Sequence, residues 1–191
     1  VFPFNYGDLE GLKKIIKKNN IGAIKMEVCR NSRPNINFLK SIRDITKEKK
    51  IVLIFDECTT GFREICGGIH MKYKIYPDMC VLGKTLGNGY AITAVIGKKE
   101  IMEAANRSFI SSTFWTERIG PTAAIKTIEY MQKYQPWNKI NKIGLNFRKI
   151  WLSLAKKHNL KIKILGIPSL SSFVFESKNN QEYKTLITQE M

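Results

Sequence analysis

Three polar runs in this 191-residue chain hold residue types that can do chemistry. Asp56-Glu57 closes the apolar run Ile51-Val52-Leu53-Ile54-Phe55. Gly83-Lys84 closes Met79 to Leu82 and opens the turn Thr85-Leu86-Gly87-Asn88-Gly89, and Ser111-Ser112-Thr113 lies downstream. A lysine amine is a nucleophile and a proton carrier once a dry pocket or a nearby cation lowers its pKa. A hydroxyl among backbone amides suits an anionic group. Singly, each run has an ordinary reading: a solvated strand end or helix cap, a surface charge, a turn. What matters is that they stand in order, with Lys84 28 positions after Asp56.

The elements that must position them alternate. Leu9, Leu12, Ile15 and Ile16 fall at helical spacing over residues 8 to 20, with Asp8 as a cap and Asn19-Asn20 as a stop. A strand follows from Ile21 to Val28. Beyond Pro34 comes a second amphipathic helix carrying Phe38, Leu39, Ile42 and Ile45. The run from Ile51 to Phe55 reads as a strand buried on both faces. Met79 to Leu82 and Ala91 to Ile96 give two more, then a helix from Lys99 to Asn106. Such alternation implies an α/β fold with a largely parallel sheet, in which ligands sit at the carboxyl ends of strands. Asp56 and Lys84 both fall at such ends. Glu117 to Tyr134 again reads as helix, Pro136 interrupts, and a longer helix runs to Lys157. Lys161 to Leu165 and Ser172 to Glu176 alternate as short strands before a final helix. The expected organisation is one domain over 1–134 and the start of a second, α+β domain over 135–191.

The segments Asp56-Glu57-Cys58-Thr59-Thr60-Gly61-Phe62-Arg63, Pro77-Asp78, Gly83-Lys84 with its glycine-rich turn, and Ser111-Ser112-Thr113 resemble the class III aminotransferases. That family shares D-E-x-x-T-G-F, P-D and G-K in this order. The likeness also takes in Glu27, Phe2 to Leu9 and the helix from Pro121 to Glu129, and weakens after residue 134. It implies the large domain of a fold type I pyridoxal-phosphate transferase, with pyridoxal 5'-phosphate as cofactor. Lys84 then matches the lysine that forms a Schiff base with the cofactor and shuttles a proton, and Asp56 the carboxylate that keeps the pyridine nitrogen protonated. Thr113, with Ser112 as the weaker alternative, resembles the hydroxyl that binds the phosphate of the neighbouring subunit. A homodimer with shared active sites is therefore implied.

Glu27 resembles the glutamate of the family's M/V-E-P segment near the cofactor, though Val28 stands where proline is usual. Cys58 and Thr59 occupy positions where many members carry Val and Gln, which pack on the ring and contact its hydroxyl. Arg30 and Arg63 can bind an anionic substrate or form ordinary salt bridges. The resemblance implies transamination between a small-molecule amino donor and a carbonyl acceptor. A second implication is a glutamate-1-semialdehyde type of 2,1-aminomutase, to which D-E-x-x-T-G-F-R is similar. Transamination is preferred because Ser112 to Glu117 is unlike the G-T-x-x-G-N-P segment usual in the mutases. The family's phosphate-binding turn and ring-stacking aromatic lie upstream of these segments, so the chain is expected to be a fragment that binds cofactor poorly alone.

Composition bounds these readings. A hydrophobic content of 43% suits a globular core, and no apolar stretch approaches the ~18 to 20 residues of a membrane helix. Val1-Phe2-Pro3-Phe4 lacks the order of a secretion signal, so a cytoplasmic location is expected. The net charge of +16 is spread along the chain with no recognition motif, which argues against nucleic acid. Cys29, Cys58, Cys66 and Cys80 form no C-x-x-C pair, and His70 and His158 are too far apart to suggest a metal site; no metal is expected.

Overall fold

Helix α1 (Leu9–Lys18) begins where Asp8 Oδ1 accepts a 2.8 Å hydrogen bond from the Gly11 amide, and Asn19 ends it. Asn35 opens α2 (Ile36–Glu48) in the same way, through the Phe38 amide at 3.1 Å. Each cap supplies a partner to an amide the first turn leaves bare, worth about 1 kcal/mol. The computed structural model describes residues 1–114 and 116–191; Trp115, within the segment compared above with the mutases, lies outside the described residues. The chain divides into two compact units, Val1–Val28 with Pro34–Gln135, and Cys29–Arg33 with Pro136–Met191. Among the described residues no helix is long and apolar enough to cross a membrane.

The first unit is built on a four-stranded sheet, β1 (Ala23–Glu27), β2 (Val52–Asp56), β3 (Met79–Leu82) and β4 (Ala94–Gly97), in that spatial order. The first three strands are parallel. Side chains alternate between faces. Ile24, Met26, Leu53, Phe55, Cys80 and Leu82 fill one face and are buried. Leu39 and Ile42 of α2, also buried, belong to the same core. The run from Ile51 to Phe55 implied burial on both faces, yet Val52 and Ile54 on the second face are only half-buried. That second face carries Lys25, Glu27 and Asp56.

Strand β4 joins β3 antiparallel, unlike the others. The eleven-residue connection between them holds no α-helix, only a 3-10 turn, Lys84–Leu86, whereas a parallel return usually runs through a helical crossover. The predicted helix from Lys99 to Asn106 divides into α4 (Lys99–Met102) and a 3-10 stretch, Glu103–Arg107. A four-residue helix, α3 (His70–Tyr73), was too short to show as periodicity. The last helix of this unit is α5 (Ile119–Tyr134), whose first turn is capped by the Glu117 carboxylate from the Ile119 and Gly120 amides.

At the amino end of β3, Asp78 Oδ2 accepts from Arg43 Nη1 and from the Leu53 amide, both at 2.9 Å, while Oδ1 lies 2.8 Å from Lys98 Nζ. Burial pushes this carboxyl up, but those three donors outweigh it and hold it below the usual carboxylate range. The group ties α2, β2, β3 and the end of β4 together beneath the sheet.

In the second unit, α6 (Trp137–Lys157) packs against a 3-10 turn, Pro168–Leu170, between the antiparallel strands β5 (Ile162–Leu165) and β6 (Ser172–Phe175). Gly144 makes the approach possible: a Cβ there would stand 1.9 Å from the Pro168 carbonyl oxygen. Arg148 donates to Ser171 Oγ at 2.6 Å and to the Gly166 carbonyl at 2.8 Å. Trp151, Phe173, Phe175 and Tyr183 of α7 (Asn180–Glu190) meet edge to face along the hairpin.

Candidate active site

The carboxyl ends of β1 and β2 bring Glu27 and Asp56 side by side in register, with Val81 of β3 next in the row. Asp56 is anchored through both oxygens. Oδ1 accepts from the Cys58 amide at 3.2 Å, and Oδ2 lies 3.0 Å from Lys25 Nζ. Burial pushes the Asp56 carboxyl up; the hydrogen bonds from Lys25 and the Cys58 amide, with the charges of Lys25 and Lys84, outweigh it and hold it below the usual range. The side chain is 25% exposed, so it is an ionised carboxylate that a ligand can reach.

Lys84 opens the 3-10 turn after β3 with φ +44°, the left-handed region that costs a residue with a side chain about 1–2 kcal/mol. Its Nζ donates a 2.7 Å hydrogen bond to Thr59 Oγ1. Gly83, just before it, lets Cys58 in close: a Cβ at Gly83 would stand 2.8 Å from Cys58 Sγ. Helix α5 packs on the Lys84–Leu86 turn. Thr59 belongs to a tight turn in which the Gly61 amide donates to the Glu57 carbonyl at 2.8 Å and Arg63 Nε to the Thr59 carbonyl at 3.3 Å. Burial lowers the pKa of the Arg63 guanidinium.

Beneath this turn sits Glu57, 0% exposed. Its carboxylate accepts from Thr60 Oγ1 at 3.1 Å, from the Ile69 amide at 2.5 Å, and from the His70 amide at 3.0 Å, and Oε1 lies 2.6 Å from His70 Nδ1. Cys80 Sγ completes a group whose ligand-type atoms lie within 4.8 Å of one another. Around a metal ion with bonds of about 2.0–2.3 Å, donor atoms stand roughly 3 Å apart or more. The shorter Glu57–His70 contact is a hydrogen bond with no room for an ion between. Burial, then the charges of Glu57 and Asp56, push the Cys80 thiol up to about 12, so it stays protonated. The group is a clamp that closes residues 57–70 on the sheet.

Asp56, Cys58, Thr59, Lys84 and Glu27 thus gather at the strand ends. Ser112 and Thr113 lie on an exposed segment before α5, where Ser112 Oγ accepts from the Phe114 amide at 3.3 Å. Among the described residues no hydrogen bond joins either one to Asp56 or Lys84. Arg30 lies in the second unit. Lys25 went unnoticed in the sequence, although its place two residues before Glu27 puts it on the face that carries Asp56. The pairing of Glu57 with His70 was also missed: across 13 positions it is legible only once the turn closes.

A family model described as aminotransferase class III matches residues 9–190. The 3-aminobutyryl-CoA aminotransferase of Cloacimonas acidaminovorans is 30% identical over 99% of this chain and 48% of its own length. The glutamate-1-semialdehyde 2,1-aminomutase of Nitrosopumilus maritimus is 35% identical over 94% of this chain and 45% of its own. The chain therefore spans about half the length of the curated relatives it matches. Among solved structures, the FumI protein of Sphingopyxis sp. MTA144 in its PLP internal aldimine form superposes with a TM-score of 0.81 at 23% identity, over 90% of this chain and 43% of that one. Ornithine aminotransferase from Plasmodium yoelii gives a TM-score of 0.77 at 24% identity, over 91% and 48%. These two likenesses show the fold.

Proposed function

The chain belongs to the class III aminotransferase family, and from that premise we propose that the whole protein is a pyridoxal-phosphate enzyme moving an amino group from a small-molecule amino donor to a carbonyl acceptor. The observation that carries this reading is the 2.7 Å hydrogen bond from Lys84 Nζ to Thr59 Oγ1, formed beside an ionised Asp56. The donor set fits the cofactor: a primary amine for its aldehyde, a carboxylate for its pyridine nitrogen, and a thiol and hydroxyl beside both. When bound, pyridoxal phosphate supplies an electron sink for a substrate carbanion.

Asp56, held anionic by its donors, keeps a proton on the ring nitrogen. Lys84 is the residue that would hold the cofactor through its aldehyde; its amine, once released, would take the proton from the substrate carbon and pass it to the former aldehyde carbon. Thr59 orients that amine. Cys58 and Thr59 would flank the ring, with Glu27, which pairs with Asp56, beside it. Thr113, with Ser112 as the alternative, binds the phosphate of a neighbouring subunit across a homodimer. Association is supported by α5, where Ile119, Ile125 and Tyr130 are all more than half exposed. In this reading residues 1–134 are part of the cofactor-binding domain, 135–191 are part of the smaller domain, and the enzyme works in the cytoplasm.

A second reading, an intramolecular 2,1-aminomutase, is favoured by the 35% identity to an enzyme of that name. The two are separated by giving the full-length protein a nitrogen-labelled amino donor and a separate keto acid. Labelled nitrogen on the former keto carbon of the acceptor supports transamination; an isomerised donor that keeps its label supports the mutase. Neither product would contradict both.

A further inference from the structure

We propose that Lys25 competes with the ring nitrogen of pyridoxal phosphate for the Asp56 carboxylate, and so weakens the protein's hold on its cofactor. This rests on the cofactor site proposed above. Both Asp56 oxygens already hold a donor. Oδ1 takes the Cys58 amide at 3.2 Å and Oδ2 the Lys25 ammonium at 3.0 Å. Each keeps a lone pair free, so a protonated ring nitrogen brought to Oδ2 would sit beside the Lys25 ammonium, cation against cation.

The two donors differ in what it takes to move them. The Cys58 amide is part of the backbone turn that the buried Glu57 clamps, so releasing it means opening residues 57–62. Lys25 sits on a flexible four-carbon stem and its side chain is 61% exposed. It is the donor that yields. Strand geometry brings Lys25 within reach: Lys25 pairs with Ile54 and Glu27 with Asp56, so Lys25 lies on the Asp56 face one side-chain row away. Two cations on one oxygen repel, so a ring cation binds at full strength only where Lys25 has swung away, and apparent affinity falls with the share of molecules in which it has not.

An exposed pair of this kind supports a modest effect, about 1.5- to 5-fold in dissociation constant. Full-length protein freed of cofactor would be titrated with pyridoxal phosphate and binding followed by the visible band, in low and high salt. Lys25→Met keeps the stem and removes the charge; Lys25→Arg keeps the charge. Tighter binding by Lys25→Met, wild-type-like binding by Lys25→Arg, and a difference that narrows in high salt as the pair is screened are expected. Damage to the fold would weaken binding, so tightening is a result a merely structural role cannot produce. Unchanged or weaker binding by Lys25→Met overturns the proposal. So does an Asp56 carboxyl whose titration, followed by NMR in the cofactor-free protein, does not move upward in Lys25→Met. Failure of pyridoxal phosphate to attach to Lys84 in the wild type is a different result and overturns the site itself.

Discussion

The two ends of one sheet hold carboxylates in opposite circumstances. At the amino end Asp78 is 8% exposed and shared among a buried arginine, a backbone amide and Lys98. At the carboxyl end Asp56 is 25% exposed and held by one amide and one mobile lysine. Both are depressed in pKa, but Asp78 has no room for a newcomer and Asp56 does. A low pKa is common to both; exposure and a donor on a flexible stem set Asp56 apart.

The largest expected effect lies at the open end. Lys84→Ala should cost the full-length enzyme roughly 10²–10⁴-fold or more in turnover, the scale of a lost proton carrier, while its thermal midpoint stays close to wild type. At the closed end the order reverses. Asp78→Asn strips a buried arginine of its counter-ion and should cost about 3–5 kcal/mol in urea unfolding, whereas Asp56→Asn should cost about 1 kcal/mol or less and lose activity instead. Equal stability losses for the two would erase the contrast. Between these ends, Glu57→Gln leaves one of the Ile69 or His70 donors without its acceptor and should destabilise by about 1–3 kcal/mol.

Acid gives the mildest test. Both carboxyls titrate lower in the fold than in the unfolded chain, where the value is about 3.9. Their contribution is therefore complete above that value and drains as pH falls through the lower folded values. Wild-type stability should fall steeply below about pH 4, and Asp78→Asn should flatten that slope more than Asp56→Asn, as read by urea midpoints across pH.

Much of the frame was legible in the sequence because it is local. Asp8 caps α1 through an amide three residues on, and β3 spans Met79–Leu82, the run its apolar residues mark out. The site was legible in part: Asp56 and Lys84 were singled out from strand-end position and motif order, and they share the Thr59 turn in space. What stayed hidden depends on pairing between distant segments. The antiparallel entry of β4 goes with a connection that holds no crossover helix. The Lys25–Asp56 pair needs the β1–β2 register, and the Glu57–His70 clamp needs the turn at 57–62 to close. Among the described residues no hydrogen bond joins Ser112 or Thr113 to Asp56 or Lys84, so their proposed role waits on a partner subunit.

The most direct test of the account is to mix the full-length protein with pyridoxal phosphate, reduce with borohydride and map the modified lysine by mass spectrometry. A single label at Lys84, absent in Lys84→Ala, is the predicted result. A label on another lysine, or one spread across the exposed lysines, would contradict it.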